Sequence, residues 1–219
     1  MFKYSVVIPA YNRGYIIDRA IQSILRQNYR EPIEIIVVDD VSTDKTCENI
    51  EQRYKDMVSV IKLSEHLGRP GLVRHKGIER AGGQYISFCD SDDLWMSNHL
   101  QIVDEAIKKE PELEFVRTRS KFCFLTIDKD RFIENFDFYV HDVDVITTNS
   151  CVISKAGYLK LKGFGDLVFG EDQALWGQAS ANLKNLYIKE VTTIYNWMRD
   201  GDNLTWKFHP NVKFNRLKK

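Results

Sequence analysis

The sequence predicts an α/β fold in which a central, mostly parallel sheet is flanked by helices. Short β-branched runs alternate with stretches whose apolar residues recur at helical spacing, and this alternation occurs four times before residue 96. With 219 residues, of which 43% are hydrophobic, the chain can bury one substantial core. We therefore expect a single domain, 1–219, made of two halves at 1–96 and 97–205 and a basic tail at 206–219.

The first half contains four predicted strands, and a predicted helix follows each of them, the last one beginning just after residue 96. The run from Ile33 to Val38 is apolar on both faces, as is typical of a central parallel strand. Ser42, Thr43 and Asp44 offer cap residues for the helix that follows, and Gly82-Gly83 marks a break before the last strand. The predicted strands are 4–8, 33–38, 58–63 and 85–89, and the predicted helices are 16–25, 42–54, 71–81 and 97–109.

The pattern loosens in the second half, which predicts a sheet that continues with mixed, partly antiparallel pairing. A helical pattern runs from Glu171 to Leu183. The predicted strands are 114–120, 122–127, 145–153 and 191–195.

Charge and composition exclude several classes of protein. The chain has 31 basic and 31 acidic residues, so no overall field attracts nucleic acid or an anionic membrane. The four cysteines form no C-x-x-C pair, and we expect reduced thiols in a cytoplasmic protein. No segment approaches the roughly 20 apolar residues of a membrane span, and no signal-peptide core follows the N-terminus.

Acidic residues follow two of the predicted strands, where an open parallel sheet binds its ligands. Asp39-Asp40 follows the second strand and Asp90-Ser91-Asp92-Asp93 follows the fourth. Because like charges at short distance repel, such a group needs a compensating cation or hydrogen-bond donors. Carboxylates suit Mg²⁺ or Mn²⁺, and Mg²⁺ typically adds substrate phosphates to one or two carboxylates. The sequence therefore predicts a divalent metal and a diphosphate ligand.

No G-x-G-x-x-G follows the first strand and no G-x-x-x-x-G-K-[ST] occurs, so neither a dinucleotide fold nor a P-loop is indicated. Nearby basic side chains for the phosphates are Arg69, Arg74, His75 and Lys76.

Several segments together resemble the family 2 glycosyltransferases of the GT-A fold. They are Ser5 to Arg13, Val37 to Asp40 with Ser42 and Asp44, Gly77 to Asp93, and Gly170-Glu171-Asp172, in the family's order and spacing. The resemblance covers about residues 5 to 205. It implies an inverting enzyme that transfers a sugar from a nucleotide diphosphate donor to an acceptor hydroxyl, with donor binding in 1–96 and acceptor binding in 97–205.

The resemblance also implies a role for each residue of the donor site. Asp40 would hold the nucleotide base, and UDP is favoured because a carboxylate accepts the imide N–H of uracil. Arg74 would reach the nucleotide or its phosphates, and Asp90 would lie near the ribose. Either Asp92 or Asp93, in this DxD-type motif, would bind Mn²⁺ or Mg²⁺. The residues that would line the base pocket with Asp40 are Pro9, Ala10 and Tyr11.

In the second half the resemblance makes Asp172, with Glu171 beside it, the catalytic base. The family's frequent Arg or Q-x-x-R-W after this pair is missing in Gln173 to Gln178, which argues against a processive synthase. Asp200 stands where relatives have a histidine before Gly-Asp-Asn-Leu-Thr.

Plainer interpretations remain for each motif. Asp39-Asp40 could cap a helix, and Glu171-Asp172 could be favourable first-turn acids. Trp95, Trp176 and Trp197 are more typical of packing than of sugar stacking. Two alternative functions also remain: a sugar nucleotidyltransferase, for which a glycine-rich first loop would be expected, and an inactive nucleotide-binding domain.

The resemblance implies a glycan or lipid-linked acceptor in bacterial surface polysaccharide synthesis. Peripheral contact with the inner face of the membrane could come from the basic tail, which contains Lys207, Lys213, Arg216, Lys218 and Lys219.

Overall fold

The computed structural model describes residues 2–128, 133–139, 146–165 and 170–198. The strands are β1 Tyr4–Ala10, β2 Ile33–Asp39, β3 Ser59–Lys62, β4 Tyr85–Phe88, β5 Leu94–Trp95, β6 Phe115–Asp128, β7 Ile133–Tyr139, β8 Cys151–Ser154 and β9 Asn185–Met198. The helices are α1 Ile17–Leu25, α2 Thr46–Tyr54, α3 Pro70–Arg80, α4 His99–Lys109, α5 Lys155–Leu159 and α6 Glu171–Asn182. Short 3₁₀ turns lie at Lys55–Met57 and Thr148–Ser150.

The strands form one mixed sheet in the order β3-β2-β1-β4-β8-β6-β9-β5, with β7 paired to β6. The strands β1 to β4 are parallel to one another. β8 is antiparallel to both β4 and β6, whereas β6 and β9 are parallel. The predicted parallel first half and mixed second half are both confirmed.

Each face of the sheet buries its own hydrophobic cluster, because successive side chains of a strand point to opposite faces. Val6 and Ile8 of β1 pack with α1, α2 and α4, whereas Val7 packs with α3, α5 and α6. A Cβ on Gly77 would lie 2.5 Å from Val7 Cγ1, so a glycine is needed where α3 crosses β1. Helices on both faces leave the ends of the parallel strands open for a site.

The start of α2 differs from the prediction by about one turn. The N–H groups of Thr43 and Asp44 donate to Asn12 Oδ1. These amides, predicted to lie at the start of the helix, therefore connect the loop after β2 to the loop after β1. Asp44 Oδ1 accepts the Thr46 N–H, and α2 begins at Thr46.

Three predictions for the second half are wrong. The two strands expected at 114–120 and 122–127 are one strand, β6. The strand expected at 145–153 is instead a 3₁₀ turn followed by the short β8, and β9 is much longer than 191–195. The threonines at 147 and 148 favour a strand by propensity, but their hydroxyls hydrogen-bond to other side chains, which stabilises a turn. β5, β7 and α5 were not predicted.

All four cysteines lie in the described residues as thiols rather than in disulfides, as predicted. Within the described ranges, no helix has both the length and the apolar character needed to cross a bilayer.

Candidate active site at the carboxyl edge of the sheet

Asp40 lies between the ends of β1 and β2 and is held by main-chain groups. Its N–H donates to the Ala10 carbonyl at 2.8 Å. Its carboxylate is buried, with Oδ1 accepting the Leu67 N–H at 2.7 Å and Oδ2 accepting the Gly68 N–H at 2.9 Å. Gly68 has a φ of +63°, a conformation that a glycine adopts without strain. Oδ1 has a second lone pair beside the one that accepts the Leu67 N–H, so Asp40 can accept one more hydrogen bond from a ligand through this atom.

An aromatic pair lies beside Asp40. The rings of Tyr11 and His66 are 4.3 Å apart between centroids, and Tyr11 is 42% exposed. His66 Nδ1 lies 3.0 Å from Asp40 Oδ2. Pro9, in β1, pairs with Val38 of β2. The structure thus brings the predicted base-pocket residues to one place.

Arg74 connects the two halves of the chain. Its guanidinium is buried and donates from Nη2 to Asp90 Oδ1 at 2.6 Å and from Nη1 to Glu171 Oε1 at 3.1 Å. Burial opposes its charge, but Asp90 and Glu171 more than offset this and raise the pKa of Arg74. A Cβ on Gly71 would lie 2.7 Å from Glu171 Cγ, so α3 can approach α6 closely only with glycine there.

Glu171 is the buried member of the predicted Glu171-Asp172 pair. Burial raises the pKa of Glu171, and the Arg74 guanidinium opposes that shift. Asp172 is less buried than Glu171. Its Oδ2 accepts the Thr148 hydroxyl at 2.9 Å and its Oδ1 accepts the Gln173 N–H at 2.8 Å.

Asp92 and Asp93 are adjacent in sequence but have different environments. Asp93 is only 1% exposed, and its Oδ1 accepts the Asn196 N–H of β9 at 2.8 Å. Burial, with the neighbouring acids, raises the pKa of Asp93 well above its usual range. Asp92 is only partly buried, and burial raises its pKa to about 6, against the charge of Arg13.

Asp90, Asp92 and Asp93 are close enough to influence one another, but they do not form a metal-binding group by themselves. Within residues 2–128, 133–139, 146–165 and 170–198, no three histidine, cysteine, aspartate or glutamate side chains gather to form a metal site. Asp39 Oδ2 accepts the Ser42 N–H, which is a structural contact. Burial disfavours the charged form of the Asp92 carboxylate, which a bound cation would stabilise. A carboxylate of this kind suits a divalent ion whose other ligands are phosphate oxygens.

Sequence reasoning missed His66, Leu67, Gly68, Thr148 and Asn196. The first three form the loop after β3, and the rule that ligands bind beyond parallel strand ends applies to that loop as well. Thr148 and Asn196 gave no signal, because their contacts depend on how the second half pairs.

The interpretation of tryptophans as packing residues holds for Trp95 and Trp176, which are 4% and 0% exposed. His75 contacts the Tyr158 hydroxyl and Lys76 pairs with Glu79 near the surface, and neither contact involves the predicted site residues. Asp200, the basic tail and the side chain of Trp197 lie outside what the structure describes.

Comparison with known proteins identifies a family. The model named "Glycosyl transferase family 2" matches residues 5–154. The chain is 37% identical over 118 residues to TuaG of Bacillus subtilis, which is named for teichuronic acid biosynthesis, with 53% of this chain and 42% of TuaG covered. It is 26% identical over 220 residues to the GalNAc(5)-diNAcBac-PP-undecaprenol beta-1,3-glucosyltransferase of Campylobacter jejuni, with 94% of this chain and 68% of that protein covered.

A solved structure shares the fold. The complex of S. aureus TarS 1–349 with UDP superposes with a TM-score of 0.73 at 21% identity, covering 90% of this chain and 61% of that one. The GT-A fold predicted from the sequence is confirmed. The chain spans less than half the length of TuaG and about three fifths of the TarS chain.

Proposed function

The chain belongs to glycosyl transferase family 2, and we propose that it transfers a sugar from a nucleotide diphosphate donor to an acceptor hydroxyl with inversion. The observation that carries this proposal is the Arg74 bridge. It ties the loop that contains Asp90 and Asp92 to the first turn of α6, where the partly exposed Asp172 lies. The bridge thus joins the loop of the proposed donor site to the helix turn that contains the candidate base.

UDP is the proposed nucleotide. Asp40 is suited to accept the imide N–H of uracil through Oδ1, which has a second lone pair beside the one that accepts the Leu67 N–H. Pro9, Ala10 and Tyr11, at the end of β1 and just after it, are proposed to line the same pocket. The TarS structure, which shares this fold, is a complex with UDP.

Asp92 is the proposed ligand of a divalent metal, Mn²⁺ or Mg²⁺. Its partial exposure suits a shared ligand, whereas Asp93 Oδ1 is committed to the Asn196 N–H. The metal, when bound, would stabilise the charge on the departing diphosphate. Asp90, which accepts a hydrogen bond from Arg74, is the proposed contact of the ribose.

Asp172 is the proposed general base. The acceptor oxygen attacks the anomeric carbon from the face opposite the diphosphate, and its proton passes to Asp172 as the bond to the diphosphate breaks. Glu171 contributes differently. Its carboxylate is bound to Arg74 and buried, so we assign it the task of holding α6 against the donor loop.

The acceptor is proposed to be a glycan or a lipid-linked glycan of bacterial surface polysaccharide. The names of both relatives refer to such products, one to teichuronic acid and the other to an undecaprenol-linked saccharide. We accordingly place the enzyme in the cytoplasm, with peripheral contact at the inner face of the membrane. A sugar nucleotidyltransferase is disfavoured by the family match.

Two measurements test the proposal. The first is a thermal shift with UDP, GDP and CDP, each with and without Mn²⁺, since a ligand stabilises the native state by RT ln(1 + [L]/Kd). We expect metal-dependent stabilisation that is largest for UDP. An absence of any shift would contradict the donor site.

The second measurement compares the wild-type protein with Asp172→Asn in sugar transfer and donor hydrolysis. Removal of a general base typically costs about 10²–10⁴-fold in rate. We expect that loss in kcat with an unchanged UDP shift. A UDP shift without turnover in the wild-type protein would favour an inactive nucleotide-binding domain.

A further inference from the structure

Asp172 has one hydrogen bond to each of its carboxylate oxygens. Oδ1 accepts the N–H of Gln173 on the same helix turn, at 2.8 Å. Oδ2 accepts the hydroxyl of Thr148, from the 3₁₀ turn before β8, at 2.9 Å. Two donors on different oxygens fix the plane of a carboxylate, and each oxygen keeps a lone pair that can take a proton. The orientation of Asp172 therefore depends on a residue far from it in sequence.

The direction of the Thr148 hydroxyl is set by a third residue. Trp176 Nε1 lies 3.3 Å from Thr148 Oγ1. An indole N–H can only donate, so Thr148 Oγ1 accepts from Trp176 and its own hydrogen remains for Asp172. The hydrogen bonds thus run in one direction, from Trp176 to Thr148 to Asp172.

Trp176 is rigid enough to act as a fixed donor. Its side chain is fully buried and its ring is stacked on Phe115, with centroids 5.6 Å apart and planes at 5°. Phe88 packs beside it at 5.5 Å and Phe164 meets it edge-on at 5.8 Å. Trp176 also lies four residues after Asp172 in α6, so both project from the same side of the helix.

We propose that Thr148 and Trp176 are positioning residues for Asp172, and that they hold its carboxylate in the orientation that accepts the acceptor's proton. This inference rests on the proposed function, in which Asp172 is the base. Both residues act through Asp172 and not by contact with substrate. Since Thr148 is 2% exposed, the aromatic core is coupled to the reacting edge through one hydroxyl group.

The test compares Thr148→Val with Thr148→Ser. Valine keeps the shape and removes the hydroxyl, whereas serine keeps the hydroxyl. Thr192→Val is the matched control, because Thr192 is also buried but its hydroxyl contacts His99 and Thr118. The substrate is whichever of UDP-glucose, UDP-galactose and UDP-GlcNAc the wild-type protein turns over fastest, with Mn²⁺.

We expect Thr148→Val to lower kcat by about 10- to 100-fold, as misplacement of a catalytic group does, with KM for the donor and the UDP thermal shift unchanged. Thr148→Ser should restore most of kcat, and Thr192→Val should leave it unchanged. In an Asp172→Asn background, Thr148→Val should cause no further loss, because the group that it positions is already removed.

A kcat for Thr148→Val within about twofold of wild type overturns the inference, as does an equal loss in the Asp172→Asn background. If Thr148→Val does not fold, Trp176→Phe removes the N–H and keeps an aromatic ring. An unchanged kcat in that variant also overturns the inference. The proposed function fails separately, if the wild-type protein shows no turnover or if Asp172→Asn is as active as wild type.

Discussion

Polar side chains are held in different ways in the two halves of the molecule. In residues 2–96, those at the strand ends bind mostly to main-chain amides of neighbouring loops. Asp39 accepts the Ser42 N–H, Asp40 accepts two N–H groups from the loop after β3, and Asn12 accepts two from residues 43 and 44.

In residues 97–198, many of the buried polar groups bind to other side chains. His99 contacts Thr192, which donates to Thr118, and Trp176 reaches Asp172 through Thr148. The contacts to main-chain amides join the loops after β1, β2 and β3, which follow parallel neighbouring strands. The side-chain networks of the second half depend instead on which distant segments become neighbours in the sheet. The site contacts of the first half therefore depend on the main chain of its own loops, whereas the second half links its site to the core through side chains.

Arg74 is where the two halves meet, so its replacement should have the largest effect on stability. Arg74→Met leaves the buried Glu171 without its cation, and loss of one partner of a buried pair typically costs about 3–5 kcal/mol. Urea unfolding measures this. The control is Arg53→Met, which removes an exposed pair with Asp18 and should cost about 1 kcal/mol or less. Equal losses would show that the bridge does not join the halves.

Asp92 and Asp93 lie in one loop but differ in role: Asp92 is the proposed metal ligand, whereas Asp93 accepts a main-chain N–H from β9. Asp92→Asn should lower kcat/KM by about 10²–10³-fold and raise the Mn²⁺ concentration required, since it removes the proposed metal ligand. Asp93→Asn keeps an acceptor for the Asn196 N–H, so a clearly smaller loss is expected. Activity titrated with Mn²⁺ distinguishes them. A larger effect at Asp93 would reverse the assignment of the ligand.

His99 gives a smaller, pH-dependent effect in the second half. It is fully buried against Trp95 and Thr192, and burial lowers its pKa to about 3. The unfolded chain, with an ordinary histidine pKa near 6.5, binds the proton first, so stability is lost as the pH falls from about 6.5 towards 3. Between pH 7 and pH 5 the loss should be about 2 kcal/mol.

The measurement is the free energy of unfolding of the wild-type protein at both pH values, compared with His99→Leu. The variant should lack this part of the pH dependence, while the contributions of the carboxylates remain in both proteins. If the two proteins lose the same free energy on acidification, His99 does not contribute in this way.

Prediction from the sequence was most accurate where the structure is local and repetitive. Strands β1 to β4 and helices α1 and α3 lie within a few residues of their predicted bounds, because apolar periodicity reports directly which side chains are buried. The strand-end rule also pointed to Pro9, Ala10, Tyr11 and Asp40, since parallel strands end at one edge, but their proposed base-pocket role came from the family resemblance. The strand predicted at 145–153 failed because threonine propensity gives no information on hydroxyl partners.

The sequence by itself determined the α/β alternation, the family and the set of acids near the sheet edge. Only the tertiary structure decided what each acid does there. Asp93 accepts a main-chain N–H from β9 and Glu171 accepts a hydrogen bond from Arg74, whereas the side chains of Asp92 and Asp172 are partly exposed. The physical reason is that burial and hydrogen-bond donors distant in the chain set the environment of a carboxylate. Adjacent residues of the same type, such as Asp92 and Asp93, can therefore have different partners and different exposure.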